Sequence, residues 1–140
     1  MKKENRLNCV MLIDDDSATN FLHSHVLKNE NFSENIIIRE NGRDALNYLL
    51  HPDNENCETP DAIFLDLNMP LMDGWQFIEE YKNLFTEKKR NIKLFILTNS
   101  DNPDDIDRAK RIDEVAAYQR KPLLPNDLDE LLLNYFPQRW

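Results

Sequence analysis

The residues of this chain whose types and spacing could do chemistry are Asp14, Asp15, Asp66, Thr98 and Lys121. Each ends or follows an apolar run: Ile13-Asp14-Asp15-Asp16, Phe64-Leu65-Asp66-Leu67-Asn68, Ile96-Leu97-Thr98-Asn99 and Tyr118-Gln119-Arg120-Lys121-Pro122. A fifth piece, Met69-Pro70-Leu71-Met72-Asp73-Gly74, follows directly on the second. An acidic pair, a lone Asp, a hydroxyl and a Lys on neighbouring strand ends would make one compact pocket. Those groups suffice to hold a divalent cation beside a carboxylate that accepts a phosphoryl group.

Each residue also has a plainer reading. Three adjacent carboxylates repel one another, which a bound cation or solvent relieves. The same triplet suits a helix N-terminus, which the dipole favours, and Asp16 or Ser17 could cap that helix. Asp66 closes the run Ala62-Ile63-Phe64-Leu65, where an unpaired carboxylate is costly to bury. A cation, Lys121 and Thr98 nearby would keep it ionised, as a nucleophilic carboxylate must be. Otherwise it caps the turn before Met69-Pro70. A hydroxyl and an ammonium can each bond a phosphoryl oxygen, though Thr is common in strands and Lys on surfaces. The spacings are 51 (66 − 15), 32 (98 − 66) and 23 (121 − 98) residues, and each leaves room for an intervening strand-helix unit. The Lys121-Pro122 bond is a candidate for cis.

The elements that must position these groups alternate along the chain. Strands are expected at Val10 to Ile13, Ile36 to Ile38, Ala62 to Leu67, Ile92 to Leu97 and Ala116 to Tyr118. Between them lie helical stripes: Phe21, Leu22, His25 and Val26; Ala45, Leu46, Leu49 and Leu50; Trp75, Ile78, Tyr81 and Phe85; Ile106 and Ala109; and Leu128, Leu131, Leu132 and Tyr135. Five strand-helix units imply an α/β fold, a doubly wound parallel sheet covered on both faces. His23 and His25 stand two apart, face different ways, and do not form a metal pair.

With 140 residues, 41% of them apolar and 31% charged, one soluble domain is expected. The net charge of −9, from 17 basic and 26 acidic residues, argues against a nucleic-acid surface. The one tight basic run, Lys88-Lys89-Arg90, reads as a solvated loop. No stretch approaches the ~20 apolar residues of a membrane span. Cys9 and Cys57 lack metal-type spacing and are expected as two free thiols in a reducing compartment, with Cys9 in the core.

These residues together resemble the receiver domain of two-component response regulators. The resemblance runs from about residue 8 to 135, and is nearest to stand-alone, chemotaxis-regulator-like receivers. It rests on Leu12-Ile13-Asp14-Asp15-Asp16, on Leu65-Asp66-Leu67-Asn68-Met69-Pro70 with Asp73-Gly74, on Leu97-Thr98, and on Tyr118 three residues before Lys121-Pro122. It implies a flavodoxin-like (βα)5 sheet of order 2-1-3-4-5. Asp66 would accept phosphate from a histidine kinase or histidine phosphotransfer protein. Asp14, Asp15, Asp66 and the backbone carbonyl of Asn68 would hold Mg²⁺. Thr98 and Lys121 would contact the phosphoryl group, Thr98 and Tyr118 would form the switch, and Asn68, Asn99 and Ser100 would tune dephosphorylation.

The family also implies a cytoplasmic protein with a downstream protein target, with homodimer formation as a further option and no nucleic-acid or membrane partner. A single receiver over residues 1–140 is expected, since the chain ends 19 residues past Lys121 (140 − 121), too few for an output domain. Three features depart from the family pattern: Asn99 where a small residue is preferred, Ala117 where Gly is usual, and a polar fourth helix. Two other readings remain at this point. One is a receiver-shaped interaction module that is never phosphorylated. The other is an aspartyl-phosphate hydrolase, which wants a second acid where Asn68 stands.

Overall fold

The computed structural model describes residues 7–84 and 91–137. Its strands are β1 (Leu7–Ile13), β2 (Ser33–Arg39), β3 (Ala62–Leu65), β4 (Lys93–Thr98) and β5 (Val115–Arg120). The helices are α1 (Ser17–Asn29), α2 (Gly42–Leu50), α3 (Gly74–Tyr81), α4 (Pro103–Lys110) and α5 (Pro125–Tyr135). The sheet has the order β2-β1-β3-β4-β5 and is parallel throughout. The expected doubly wound α/β fold is the one observed. Phe85 and the Lys88-Lys89-Arg90 run lie outside the described residues.

Alternation along the strands divides the core in two. Met11, Ile13, Ile63, Leu65 and Ile96 pack with Ala45, Leu46 and Leu49 of α2 and Phe77, Ile78 and Tyr81 of α3. On the other face Val10, Leu12, Phe64 and Phe95 pack with Leu27 of α1 and Leu128, Leu131 and Leu132 of α5. Each large apolar side chain buried in this way contributes about 1.5–3 kcal/mol relative to exposure. The strand order turns back between β1 and β3, which opens a crevice at their C-terminal ends. Asp14 and Asp66 stand there, immediately or almost immediately after the two strands. Among the described residues no helix is long and apolar enough to cross a membrane.

Helix starts follow local chemistry. Asn41 caps α2 through the N–H of Asp44, and Asn102 caps α4 ahead of Pro103. Asp73 and Gln76 form a reciprocal capping box at the start of α3. Of the two candidate caps of α1, Asp16 takes the position. The buried face of α1 departs from expectation. The stripe of Phe21, Leu22 and His25 faces out, with Phe21 72% exposed, while Asn20, His23 and Leu27 face in. The reason is what that face meets: Asn20 and His23 lie against the polar strand ends, while Leu27 and half-buried Val26, further along the helix, pack on the apolar core.

The cysteines also depart from expectation. Cys9 is buried as expected, but it is joined to Cys57 in a disulfide, so the expected free thiols are corrected. The loop bearing Cys57 is drawn across the start of β1 by Asp61, whose carboxylate accepts the N–H groups of Asn8 and Cys9. Asn8 and Asn35 donate their side-chain amides to the Asn56 carbonyl, and the Tyr48 hydroxyl donates to the Cys57 carbonyl. A separation of 48 residues gives no sequence sign of that approach. With the pair bonded, cysteine usage no longer argues for a reducing compartment.

Tyr81 is 1% exposed, and burial, aided by the charge of Glu114, pushes its phenol well above the ordinary tyrosine range. The folded state therefore favours the neutral phenol. Its contribution to stability is complete below the unfolded pKa of about 10 and is lost as pH rises beyond it. Denaturant midpoints measured from pH 8 upward will fall for the wild type and fall less steeply for Tyr81→Phe.

Candidate functional site

The ends of β1, β3 and β4 and the turn after β5 converge on one acidic pocket. Asp14 follows β1 directly and is buried; its carboxylate accepts the Asp16 N–H at 3.0 Å and its carbonyl accepts the Asn20 amide at 2.8 Å. Asp66 follows β3 and is also buried, with its own N–H bonded to the Ile13 carbonyl at 2.9 Å. Asp15 is exposed at the rim. One carboxylate oxygen from each of Asp14, Asp15 and Asp66 lies within 4.8 Å of the others.

Lys121 reaches into this cluster from the far side. Its Nζ is 2.6 Å from Asp14 and 3.4 Å from Asp66. Its main chain is fixed by an N–H bond to the Thr98 carbonyl at 2.9 Å, and the Lys121-Pro122 bond is cis. Thr98, at the end of β4, is fully buried, and its hydroxyl accepts the Ser100 N–H at 3.2 Å. Tyr118 does not touch Thr98 through any hydrogen bond; its hydroxyl donates to the Ser100 carbonyl at 2.9 Å. Ser100 in turn donates its own hydroxyl to Asp105 of α4 at 2.7 Å. The side chains of Asn68 and Asn99 are exposed.

The electrostatics follow from this crowding. Burial, then the charge of Asp14, pushes the Asp66 carboxyl above its ordinary value, and Lys121 and the Asn68 N–H oppose that. For Lys121, burial pulls the pKa down, but the hydrogen bond to Asp14 and the charge of Asp66 outweigh it and leave the ammonium more basic than usual. With all groups ionised the cluster carries −2, three carboxylates less one ammonium. A divalent cation balances that charge, and carboxylate oxygens are the hard donors such ions take.

Residues 10–133 match the family model of the response regulator receiver domain. The chain belongs to that family. Curated receivers include the response regulator Rcp1 of Synechocystis sp., 33% identical over 98 residues; the match spans 69% of this chain and just under two thirds, 65%, of that protein. A two-component response regulator from Cytophaga hutchinsonii is 31% identical and superposes with a TM-score of 0.82 over 94% of this chain and 98% of its own. The Mn²⁺-bound form of response regulator Rcp1 is 28% identical, with a TM-score of 0.72 over 92% and 94% of the two chains. The phosphorylated cyanobacterial phytochrome response regulator RcpA is 25% identical, with a TM-score of 0.75 over 94% and 96%. Receiver domains are signalling proteins rather than conventional enzymes. They bind a divalent metal at an acidic pocket and work with kinases or phosphotransfer proteins and with downstream targets.

In this receiver Asp14, Asp15, Asp66 and Lys121 come together as the sequence suggested, and Thr98 adjoins them through the Lys121 main chain. Three residues around the site were not expected there. His23 was weighed only as half of a metal pair with His25, Asn20 looked like an ordinary position beside an apolar stripe, and Asp105 like one acid among many on a polar helix. The available signal was periodicity: Asn20, His23 and Leu27 also follow a helical spacing.

Gly74 opens α3 directly beneath the acidic pocket. A Cβ built there would lie 2.6 Å from the Asp66 carbonyl oxygen and 2.8 Å from Leu67 Cα, both main-chain atoms that cannot swing aside. Gly74→Ala is therefore expected to lower unfolding free energy by about 1–3 kcal/mol, read from urea denaturation. A variant as stable as the wild type would show that the Asp66 strand end yields freely.

Proposed function

We propose that this receiver accepts a phosphoryl group on Asp66, from a histidine kinase or a histidine phosphotransfer protein, in a Mg²⁺-dependent step. The observation that carries this reading is the position of the Lys121 ammonium between Asp14 and Asp66, with Asp15 completing a three-carboxylate cluster. Asp14, Asp15, Asp66 and the Asn68 carbonyl would hold Mg²⁺. The ion's contribution when bound would be to neutralise charge on the transferring phosphoryl oxygens.

An Asp66 carboxylate oxygen attacks phosphorus. The P–N bond of the donor phosphohistidine breaks, and the imidazole leaves with that electron pair and takes a proton from solvent. Lys121 and Thr98 bond the phosphoryl oxygens in the acyl phosphate that results. Drawing the Thr98 hydroxyl toward the new dianion would break its bond from the Ser100 N–H. Ser100 also holds Tyr118 and Asp105, so the loss reaches β5 and α4. Asn99 and Asn68, both exposed, would affect water access and the lifetime of the phosphate. Signal then leaves by binding a protein target, by relay or by self-association in the cytoplasm. Exposed apolar side chains, among them Leu71 at 88% exposed and Phe21 on α1, suit contact with protein partners.

The readings without phosphorylation are less well supported. An unphosphorylated interaction module has no need of a buried ammonium 3.4 Å from Asp66. A hydrolase lacks its second acid at Asn68. Incubation with acetyl phosphate, with and without Mg²⁺, followed by intact-mass measurement is the direct test. The wild type should gain one phosphoryl group only with Mg²⁺, and Asp66→Asn none. No gain by the wild type with either acetyl phosphate or a panel of histidine kinases would overturn the reading.

A further inference from the structure

Helix α1 turns two polar residues inward over the acidic pocket, one helical turn apart. Asn20 is 3% exposed and His23 is 2% exposed. Asn20 donates its amide to the Asp14 carbonyl at 2.8 Å, and its Oδ1 has no hydrogen-bond partner among the described residues. His23 Nε2 accepts the Leu123 N–H at 3.3 Å. A main-chain N–H only donates, so Nε2 must carry a lone pair and the imidazole is neutral with its proton on Nδ1. Burial, and then the Lys121 charge, holds the His23 pKa below its ordinary value, in keeping with that form.

The Leu123 N–H matters because of where it lies. Lys121 sits at the start of a turn in which Pro122 has no N–H to offer. Lys121 is anchored by its own N–H to Thr98, and the next main-chain donor along the turn is Leu123. His23 therefore supplies the second anchor of the segment from which the Lys121 side chain departs. A lysine side chain has four rotatable bonds, and where its ammonium rests depends on the direction in which it leaves the main chain. The space between α1 and the strand ends, bounded by Asp14, Asn20, His23 and Asp66, admits no water-sized sphere.

We propose that His23 is a positioning residue for Lys121: by accepting the Leu123 N–H it fixes the turn after β5 so that the ammonium meets the phosphoryl group on Asp66. Helix α1 then spaces two parts of the site at once, gripping the Asp14 strand end through Asn20 and the lysine turn through His23. This inference rests on the reading of Asp66 as phosphoacceptor. A histidine that only fills the core would act on stability alone, whereas one that positions Lys121 acts on the phosphoryl group without weakening the hold of the carboxylates on the metal, since Lys121 only competes with the cation for Asp14 and Asp66.

The test compares full-length wild type, His23→Leu and His23→Gln, since Gln Oε1 can stand where Nε2 stands and Leu has no acceptor. Mn²⁺ affinity is measured by calorimetry, and the initial rate of phosphorylation by acetyl phosphate at saturating Mg²⁺ by intact mass. The expected result for His23→Leu is Mn²⁺ affinity equal to or tighter than wild type but phosphorylation slowed by at least about tenfold, as misplacement of a reacting group costs. His23→Gln should recover to within about threefold of the wild-type rate, since it restores the acceptor and with it the geometry. Should His23→Leu fail to fold, His23→Met, of similar length and with no strong acceptor, takes its place. A wild-type rate in His23→Leu overturns the inference, as does equal slowing in His23→Gln or a parallel loss of Mn²⁺ affinity. If the wild type itself gains no phosphoryl group from acetyl phosphate or a kinase, the reading of Asp66 falls and this inference with it. A phosphorylated wild type with an unimpaired His23→Leu overturns this inference alone.

Discussion

Lys121, Asp14 and Asp66 form a nearly dry triad of charges, and much of the surrounding structure exists to hold it. Desolvating an ammonium and two carboxylates costs several kcal/mol per ion unless their mutual geometry is close. Here the closest approach, 2.6 Å from Lys121 to Asp14, offsets part of that cost. One ammonium cannot balance two buried carboxylates and a third at the rim, so an excess of negative charge remains. That excess is what makes the pocket receptive to a divalent cation.

The scaffold meets this constraint with main-chain bonds rather than with more charges. Asp66 is tied to β1 through the Ile13 carbonyl, Lys121 to β4 through the Thr98 carbonyl, and Gly74 to the Leu67 carbonyl at the foot of α3. Each is a short bond between neighbouring strand ends or between a strand end and the next helix. A parallel sheet brings such ends together because every strand points the same way. Asn20 Oδ1, without a donor among the described residues, is a cost borne beside the site: a buried acceptor without a donor costs about 1–3 kcal/mol.

Ser100 connects the chemistry to the surface. Its N–H, carbonyl and hydroxyl engage Thr98, Tyr118 and Asp105 respectively, so one residue touches the end of β4, β5 and the first turn of α4. On α4 itself Arg108 lies over the Trp75 ring of α3 at 4.3 Å, so a shift of this helix would also be felt on α3. The polar character of α4 then has a structural meaning, since its few inward contacts leave it free to respond to small changes at its N-terminus.

Much of this was legible from residue order. Alternating apolar runs specified the five strands, their parallel direction and the helices between them, because burial on both faces demands continuous apolar runs. The same runs marked Asp14, Asp66, Thr98 and Lys121, since polar residues that end buried strands stand out against them. Helix α1 was misread because apolar spacing is informative only when the facing surface is apolar, and the first half of α1 faces polar strand ends. The Cys9–Cys57 pairing and the hydrogen bond of His23 to the turn after Lys121 join positions 48 and 100 residues apart through single contacts, and the grip of Asn20 on Asp14, six residues apart, depends on how α1 meets the end of β1. Sequence alone determined which groups would be present and roughly where along the chain. Only the tertiary structure decided which of them touch, because contact depends on packing between elements that local periodicity does not encode.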